Sequence, residues 1–253
     1  MPVLSSIEDL LDGVELQPGQ GLVAQIYDVL WQLIVSIRLL PGQLITEKEI
    51  AEALKASKTP VREALIRLEE TGLVSVVPKS GTYVTPIRIN TYIEACFIRL
   101  QLEIGAVRRA ATYNANGRAL EQLDEIIEQQ SEALSREDFA NFFLLDEALH
   151  RAFFEMAGVT GAWAVVKRTQ SEIHRIRQLK HRFRISRRSV VLRDHKAIVE
   201  AIRCGDSDEA QYALVRHIGS LEGELQELAA LPELLAFMET SGFTRPGTRT
   251  TRT

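Results

Sequence analysis

Cysteine is scarce: Cys96 and Cys204 are the two in 253 residues. They are too few and too far apart for a disulfide framework or a Cys-rich zinc site, and a reducing cytoplasm is the expected home. Long apolar runs are missing too. None approaches the roughly 18–20 residues that span a bilayer, so no membrane partner is expected. Residues 1–20 are acidic rather than basic and hold no continuous apolar core, so they are not expected to act as a secretory signal. A basic surplus is also absent, because the formal net charge is −4. Any nucleic-acid surface must therefore be a local patch. What remains is 45% hydrophobic and 25% charged residues, the balance of a folded chain with one large domain or two ordinary ones.

Residues 1–20 read as a flexible tail, with Pro18, Gly19 and Gly21 marking the break before order begins. From Leu22 to Leu39, Val23, Ile26, Tyr27, Leu30, Leu33 and Ile34 recur at steps of three and four, which predicts an amphipathic helix stopped by Pro41-Gly42. Thr46 with Glu49 resembles a capping box and opens a short helix through Ile50, Ala51 and Leu54. After a polar turn, Thr59 is expected to cap a third helix with Pro60 at its first position, running to a glycine stop at Gly72. Leu73–Val77 and Thr82–Thr85 flank the turn Pro78–Gly81 and read as a hairpin. Three helices and a hairpin form a winged helix-turn-helix over 21–88.

The remainder carries little strand signal. Helices are predicted at 91–113, 118–133, 137–157, 161–184, 187–204 and 207–230, with a short seventh near 232–238. The expected architecture is mainly α: the winged helix-turn-helix followed by an all-helical antiparallel bundle of six or seven helices over 91–232. No repeat recurs at a fixed period. Residues 240–253 have no apolar pattern and are expected to be disordered.

Between Lys55 and Arg67 four cations (Lys55, Lys58, Arg62, Arg67) face one anion, Glu63. In a helix-turn-helix the second helix lays its N-terminal residues in the major groove. Lys58, Thr59 and Arg62 would stand at that end, while Val61, Leu65 and Leu68 face the core. Arg62 can offer guanine O6 and N7 a bidentate fork. The bland reading, that these are solvated surface cations, weighs about equally residue by residue. The segment as a whole is far more specific. PGQLITEKEIAEALKASKTPVREALIRLEETGLVSVVPKSGTYV resembles the DNA-binding domain of the GntR family of regulators. Its anchors are Pro41-Gly42, Leu44, Glu47, Ile50-Ala51, Ser57, Thr59 to Leu65, Arg67 to Glu69, Gly72-Leu73, Gly81 and Val84. The resemblance implies that Lys48, Lys58 and Arg62 contact double-stranded DNA, with Thr59 and the wing tip at Lys79 and Gly81 assisting. The family usually has Arg where this chain has Lys58, and often at Lys48. Lysine keeps the attraction to phosphate but loses the planar fork.

Five histidines occur, and LLDEALHRAFFEMAG sets Asp146 and His150 one helical turn apart on one face. His195 opens DHKAIVEAIRCGD and His217 lies in the next helix, in ALVRHI. If those helices are adjacent and antiparallel, one carboxylate and three imidazoles converge as a site for zinc, with nickel or manganese as alternatives. His174 and His181, in a basic run, read as solvated surface.

RLQLEIGAVRRAA, DEALHRAFFEMAG and DHKAIVEAIRCGDSDEAQYALVRHI resemble the FCD domain that follows the GntR module in the FadR-like branch, and six helices suggest its VanR-like type. The resemblance implies the metal ligands Asp146, His150, His195 and His217 and a cavity-facing Arg99. Beside a metal, a guanidinium is a receptor for a small carboxylate effector. An intramolecular pair with Glu103, four residues on, is the competing assignment for Arg99. Family members are usually homodimers, which suit a pseudo-palindromic operator. The expectation is a ligand-responsive regulator, a repressor rather than an enzyme. A metalloenzyme using the Asp/His₃ centre, or a regulator whose metal is structural or is itself the signal, are the alternatives.

Overall fold

In the computed structural model, residues 5–17, 21–113, 117–182 and 188–219 are described. They form two compact units. One holds the described residues up to Tyr92 together with 171–182, the other Ile93–Gln170 together with 188–219.

The first unit begins with α1 (Ile7–Leu11) and α2 (Leu22–Val35), followed by β1 (Leu44–Ile45), α3 (Glu47–Ala53), α4 (Lys58–Glu70), β2 (Val74–Val77) and β3 (Gly81–Val84). The α2 residues Ile26, Leu30, Leu33 and Ile34 pack with Val61, Leu65 and Leu68 of α4 in one apolar core. Each such side chain contributes about 1.5–3 kcal/mol when fully buried. Thr46 caps α3 as expected, its hydroxyl accepting the Glu49 N–H at 3.2 Å. The sheet order is β1-β3-β2, all antiparallel. A two-residue strand is too short to show period-two alternation, so β1 left no signal.

Three expectations need correction here. Residues 1–20 are not wholly a loose tail: α1 carries a capping box from Ser6 and Asp9, and buries Ile7, Leu10 and Leu11. Five residues are too few for a periodic signature, and tertiary packing supplies what propensity does not. Thr59 does not cap α4. Ser57 occupies the N-cap position without a side-chain bond, so Pro60 is the third helical residue, where its missing N–H still costs no intrahelical bond. Finally, His174 is half-buried, edge-on to Trp31 with centroids 5.7 Å apart, and is not a solvated surface group. The next residue, Arg175, is wholly buried. It donates to the Thr85 carbonyl at 2.6 Å and pairs with Glu172 at 3.3 Å.

The second unit takes most of its residues from six helices: α5 (Ile89–Thr112), α6 (Gly117–Ser135), α7 (Phe139–Met156), α8 (Thr160–Arg182), α9 (Arg188–Arg203) and α10 (Ser207–Ile218). The ends of α5 and α8 lie in the first unit. α6 packs on α7 and α9, and α9 on α10, around Leu123, Leu149, Phe153, Phe154, Ile198, Ile202 and Leu214. Asp206 caps α10, accepting the N–H groups of Asp208 and Glu209. The predicted continuation of that helix to 230, the seventh helix at 232–238 and the tail at 240–253 lie outside the described residues. Among the described residues no helix is long and apolar enough to cross a membrane.

Candidate nucleic-acid interface and candidate metal centre

On the first unit, α3 and α4 present the predicted DNA-contact residues. Lys48, Lys58, Thr59 and Arg62 are all exposed, while Val61, Ala64, Leu65 and Leu68 of α4 are buried. The i, i+3, i+4 spacing thus divides the helix into a core face and an outward face. Lys79 is exposed at the wing tip with φ near 64°. Gly81 follows with φ 130°, and a Cβ there would run into the Leu44 side chain. Glycine is therefore required by the fold of the wing, apart from any contact with DNA.

Arg62 is already engaged. Its Nε donates to Glu47 Oε1 and its Nη2 to Oε2, each at 2.9 Å. These bonds hold the Glu47 carboxyl below the usual carboxylate range, with the Lys58 charge assisting. Glu47 matched the GntR pattern in sequence, yet nothing in its spacing to Arg62, fifteen residues on, indicated that the two side chains meet.

In the second unit the four predicted metal ligands converge. Asp146 and His150 stand on α7, His195 on α9 and His217 on α10, and one ligand atom from each lies within 4.8 Å of all the others. His217 Nε2 is 3.1 Å from His150 Nε2 and 3.2 Å from His195 Nε2. Asp146 Oδ1 is 3.4 Å from His195 Nε2 and 3.9 Å from His150 Nε2. Asp146, His150 and His195 are buried.

The tautomers decide what this cluster can hold. His150 Nδ1 donates to Glu103 Oε2 at 2.5 Å, because a carboxylate only accepts. His195 Nδ1 faces Gln130 Oε1 at 2.8 Å and donates to it. In the neutral rings both Nε2 atoms therefore carry lone pairs directed at His217. Burial, followed by the neighbouring His195 and His150, pushes the His217 ring well below its ordinary range, so it is neutral at pH 7. A neutral His217 has one N–H. If Nε2 carries it, it can donate to only one of the two facing Nε2 atoms. If Nδ1 carries it, three lone pairs converge and the proton sits on an atom that is buried with no hydrogen-bond partner. A divalent cation at this point could take up the facing Nε2 lone pairs together. Donor atoms about 2.1 Å from a common centre lie roughly 3.0–3.4 Å apart along a tetrahedral or octahedral edge, and the Nε2 separations match.

The supporting side chains were largely missed by sequence reasoning. Arg99 Nε donates to Glu103 Oε1 at 2.6 Å, so the i+4 pair is formed. Burial alone would raise the Glu103 carboxyl, but Arg99 and His150 hold it at about 2. Arg99, Glu103 and His150 form one chain of charge-assisted bonds that turns the imidazole toward the centre. Gln130 gave no signal, since only the packing of α6 on α9 brings it to His195. Beside the histidine pair, Arg216 of α10 and Asp194 of α9 meet at 3.2 Å and tie those helices together. Glu147, the carboxylate nearest in sequence that could act as a general base, is ion-paired with Lys167 instead.

Fold and surface together define a DNA-binding regulator of the winged-helix class with a helical companion unit. Comparison with known proteins specifies it further: residues 22–84 match the model for bacterial regulatory proteins of the gntR family, and residues 94–220 match the FCD domain. The chain belongs to the gntR family of bacterial regulatory proteins and carries an FCD domain; it is a transcriptional regulator, not an enzyme. It is 30% identical over 214 residues to the HTH-type transcriptional repressor RspR of Escherichia coli K12, covering 85% of this chain and 93% of that one. It is 31% identical over 212 residues to an HTH-type transcriptional regulator in an unstable DNA locus of Streptomyces ambofaciens, covering 83% and 88%. The solved structure of E. coli McbR/YncC has the same fold, with TM-score 0.69 and 21% identity over 85% of this chain and 98% of that one. The metalloenzyme alternative is thereby set aside.

Proposed function

We propose that this regulator is a repressor whose helical unit binds a divalent metal, zinc foremost, and uses it with Arg99 to receive a small carboxylate or sugar-acid effector. The observation that carries the reading is the convergence of one carboxylate and three imidazoles within 4.8 Å of one another, with His150 and His195 oriented by Glu103 and Gln130. Asp146, His150, His195 and His217 would hold the ion. The ion would supply a Lewis-acidic anchor for the effector's oxygens at coordination positions the protein leaves open. Arg99 gives its Nε to Glu103, and its terminal N–H groups are the donors proposed for the effector. Two copies of the chain, as a homodimer in the cytoplasm, would present Lys48, Lys58, Thr59 and Arg62 to a pseudo-palindromic operator, with Lys79 and Gly81 at the wing. Effector binding must favour one arrangement of the two DNA modules, and DNA must in turn weaken the effector by the same factor.

A second reading, in which the metal is purely structural, draws on the Arg99–Glu103 pair, since that pair already occupies part of the guanidinium. A thermal-shift screen of carboxylic and sugar acids, on metal-loaded and chelator-stripped protein, separates the two. An acid that raises the melting temperature only in loaded protein supports the sensing role. A metal-dependent midpoint that no acid moves supports the structural one.

A further inference from the structure

Glu47 lies at the first position of α3, beside the first turns of α4, and grips Arg62 through one defined edge. A guanidinium offers two forks, each a pair of parallel N–H bonds. The lateral one is made by Nε–H with one Nη2 hydrogen, the terminal one by the other Nη2 hydrogen with one Nη1 hydrogen. Glu47 takes the lateral fork completely, with both bonds at 2.9 Å. The terminal fork matches the O6 and N7 acceptors of guanine.

The pair is not explained by stability. The Arg62 side chain is 65% exposed and that of Glu47 31%, and exposed ion pairs contribute little. Nor does it favour binding to DNA in general. A carboxylate set among Lys48, Lys58 and Arg62 repels phosphate and cancels part of a small basic patch. On a DNA-facing surface, an acid that lowers general affinity while aligning one arginine is placed for selectivity.

We propose that Glu47 is a specificity-determining positioning residue. It holds the Arg62 terminal fork ready for a guanine edge and withholds the same arginine from phosphates. The inference rests on reading Arg62 as a base-contacting residue, and its consequences separate from that reading. Without Glu47, Arg62 keeps its charge but regains rotamer freedom and a lateral fork that binds any phosphate. Affinity for arbitrary DNA then rises while discrimination at the contacted guanine falls.

The test uses the full chain in whatever metal state it is purified. Duplexes enriched from a random-sequence pool by the wild-type protein supply the site. Each guanine is then replaced singly by 7-deazaguanine, which removes N7 alone. Binding of wild type, Glu47→Ala, Glu47→Gln and Arg62→Ala is measured by fluorescence anisotropy, against both the enriched site and a random duplex. At one guanine the wild type should discriminate by on the order of tenfold, and Arg62→Ala should lose that discrimination. Glu47→Ala should lose most of it as well, while binding the random duplex a few-fold more tightly. Glu47→Gln, which can accept only one of the two bonds, should fall between. Undiminished discrimination in Glu47→Ala, with Arg62→Ala deficient, would overturn the proposal and leave Arg62 a base reader. Equal loss of enriched and random binding in Glu47→Ala would also overturn it. Full discrimination in Arg62→Ala would remove the underlying reading, and the proposal with it. Circular dichroism melts of each variant identify any loss that comes from unfolding.

Discussion

The two constellations of this regulator are built by opposite means. At the proposed DNA face, Glu47 and Arg62 are solvent-accessible and pair through the lateral fork of the guanidinium. At the centre of the helical unit, Asp146, His150 and His195 are buried, with Glu103 and Gln130 holding the outer Nδ1 atoms of the two imidazoles and the Nε2 atoms turned to a common point. The first arrangement forms without a ligand, and in the proposed reading its arginine turns a second fork toward DNA. The second gathers four candidate ligands at one point, and the proposed reading completes it with a cation. Water screens the exposed pair, so its loss costs little stability. No water-like dielectric surrounds the buried histidines, where unmet polar groups are expensive. Substitutions of the ligands at the centre should therefore move both metal affinity and stability, and substitutions at the face should move DNA binding with little effect on stability.

The largest effect is expected from His195→Ala. It removes one of four ligands and strands the Gln130 carbonyl. Stoichiometric metal should be lost on gel filtration, as read by elemental analysis. The melting temperature of metal-loaded protein should fall to that of chelator-treated wild type. Bound at a thousand times its dissociation constant, a metal contributes roughly 4 kcal/mol to the folded state, so the shift should be many degrees. If the variant keeps a full equivalent of metal, the assigned ligand set is wrong. A sensing metal further predicts that its response to an effector disappears even at temperatures where it remains folded.

A smaller loss is expected from Gln130→Leu, which keeps the ligands and removes only the acceptor on His195 Nδ1. Loss of such an orienting partner costs about 10- to 100-fold in metal affinity. Competition against a chromophoric chelator measures it. The metal-free protein should melt close to wild type, because the substitution also deletes an amide nitrogen that is buried without a partner. Unchanged metal affinity would mean that helix packing alone holds His195 in place.

The same contrast explains what could be read in advance. Asp146 and His150 are neighbours on one helical turn, and the helices bearing His195 and His217 show their periodicity, but the full quartet was implied by the resemblance to the FCD domain rather than by spacing alone. Gln130 and Glu47 act across elements, through the packing of α6 on α9 and of α3 on α4, which no local pattern encodes. α1 and β1 escaped for a different reason: five and two residues are shorter than the periods that would reveal them. In Arg99 the residue was located and its i+4 partner foreseen, but the onward bond from Glu103 to His150 depends on α5 meeting α7.

The smallest effect should come from removing the charge of Glu47, and its sign follows from the direction of its shift. The carboxyl titrates below its ordinary value in the folded protein, chiefly because Arg62 donates to it. Its contribution to stability is therefore complete above the ordinary carboxylate pKa and drains away as pH falls through that value toward the lowered one. Glu47→Gln should then melt slightly below wild type at pH 7, and the gap should close on acidification to the bottom of the carboxylate range. Added salt should narrow the gap at neutral pH, because both side chains are solvent-accessible. Differential scanning calorimetry across pH 3–7, at low and high salt, reads both trends. A gap that is large at pH 7 and insensitive to salt would make the pair a structural clamp of the α3–α4 unit. The contrast between a face built for selectivity and a centre built for a cation would then fail on the DNA side.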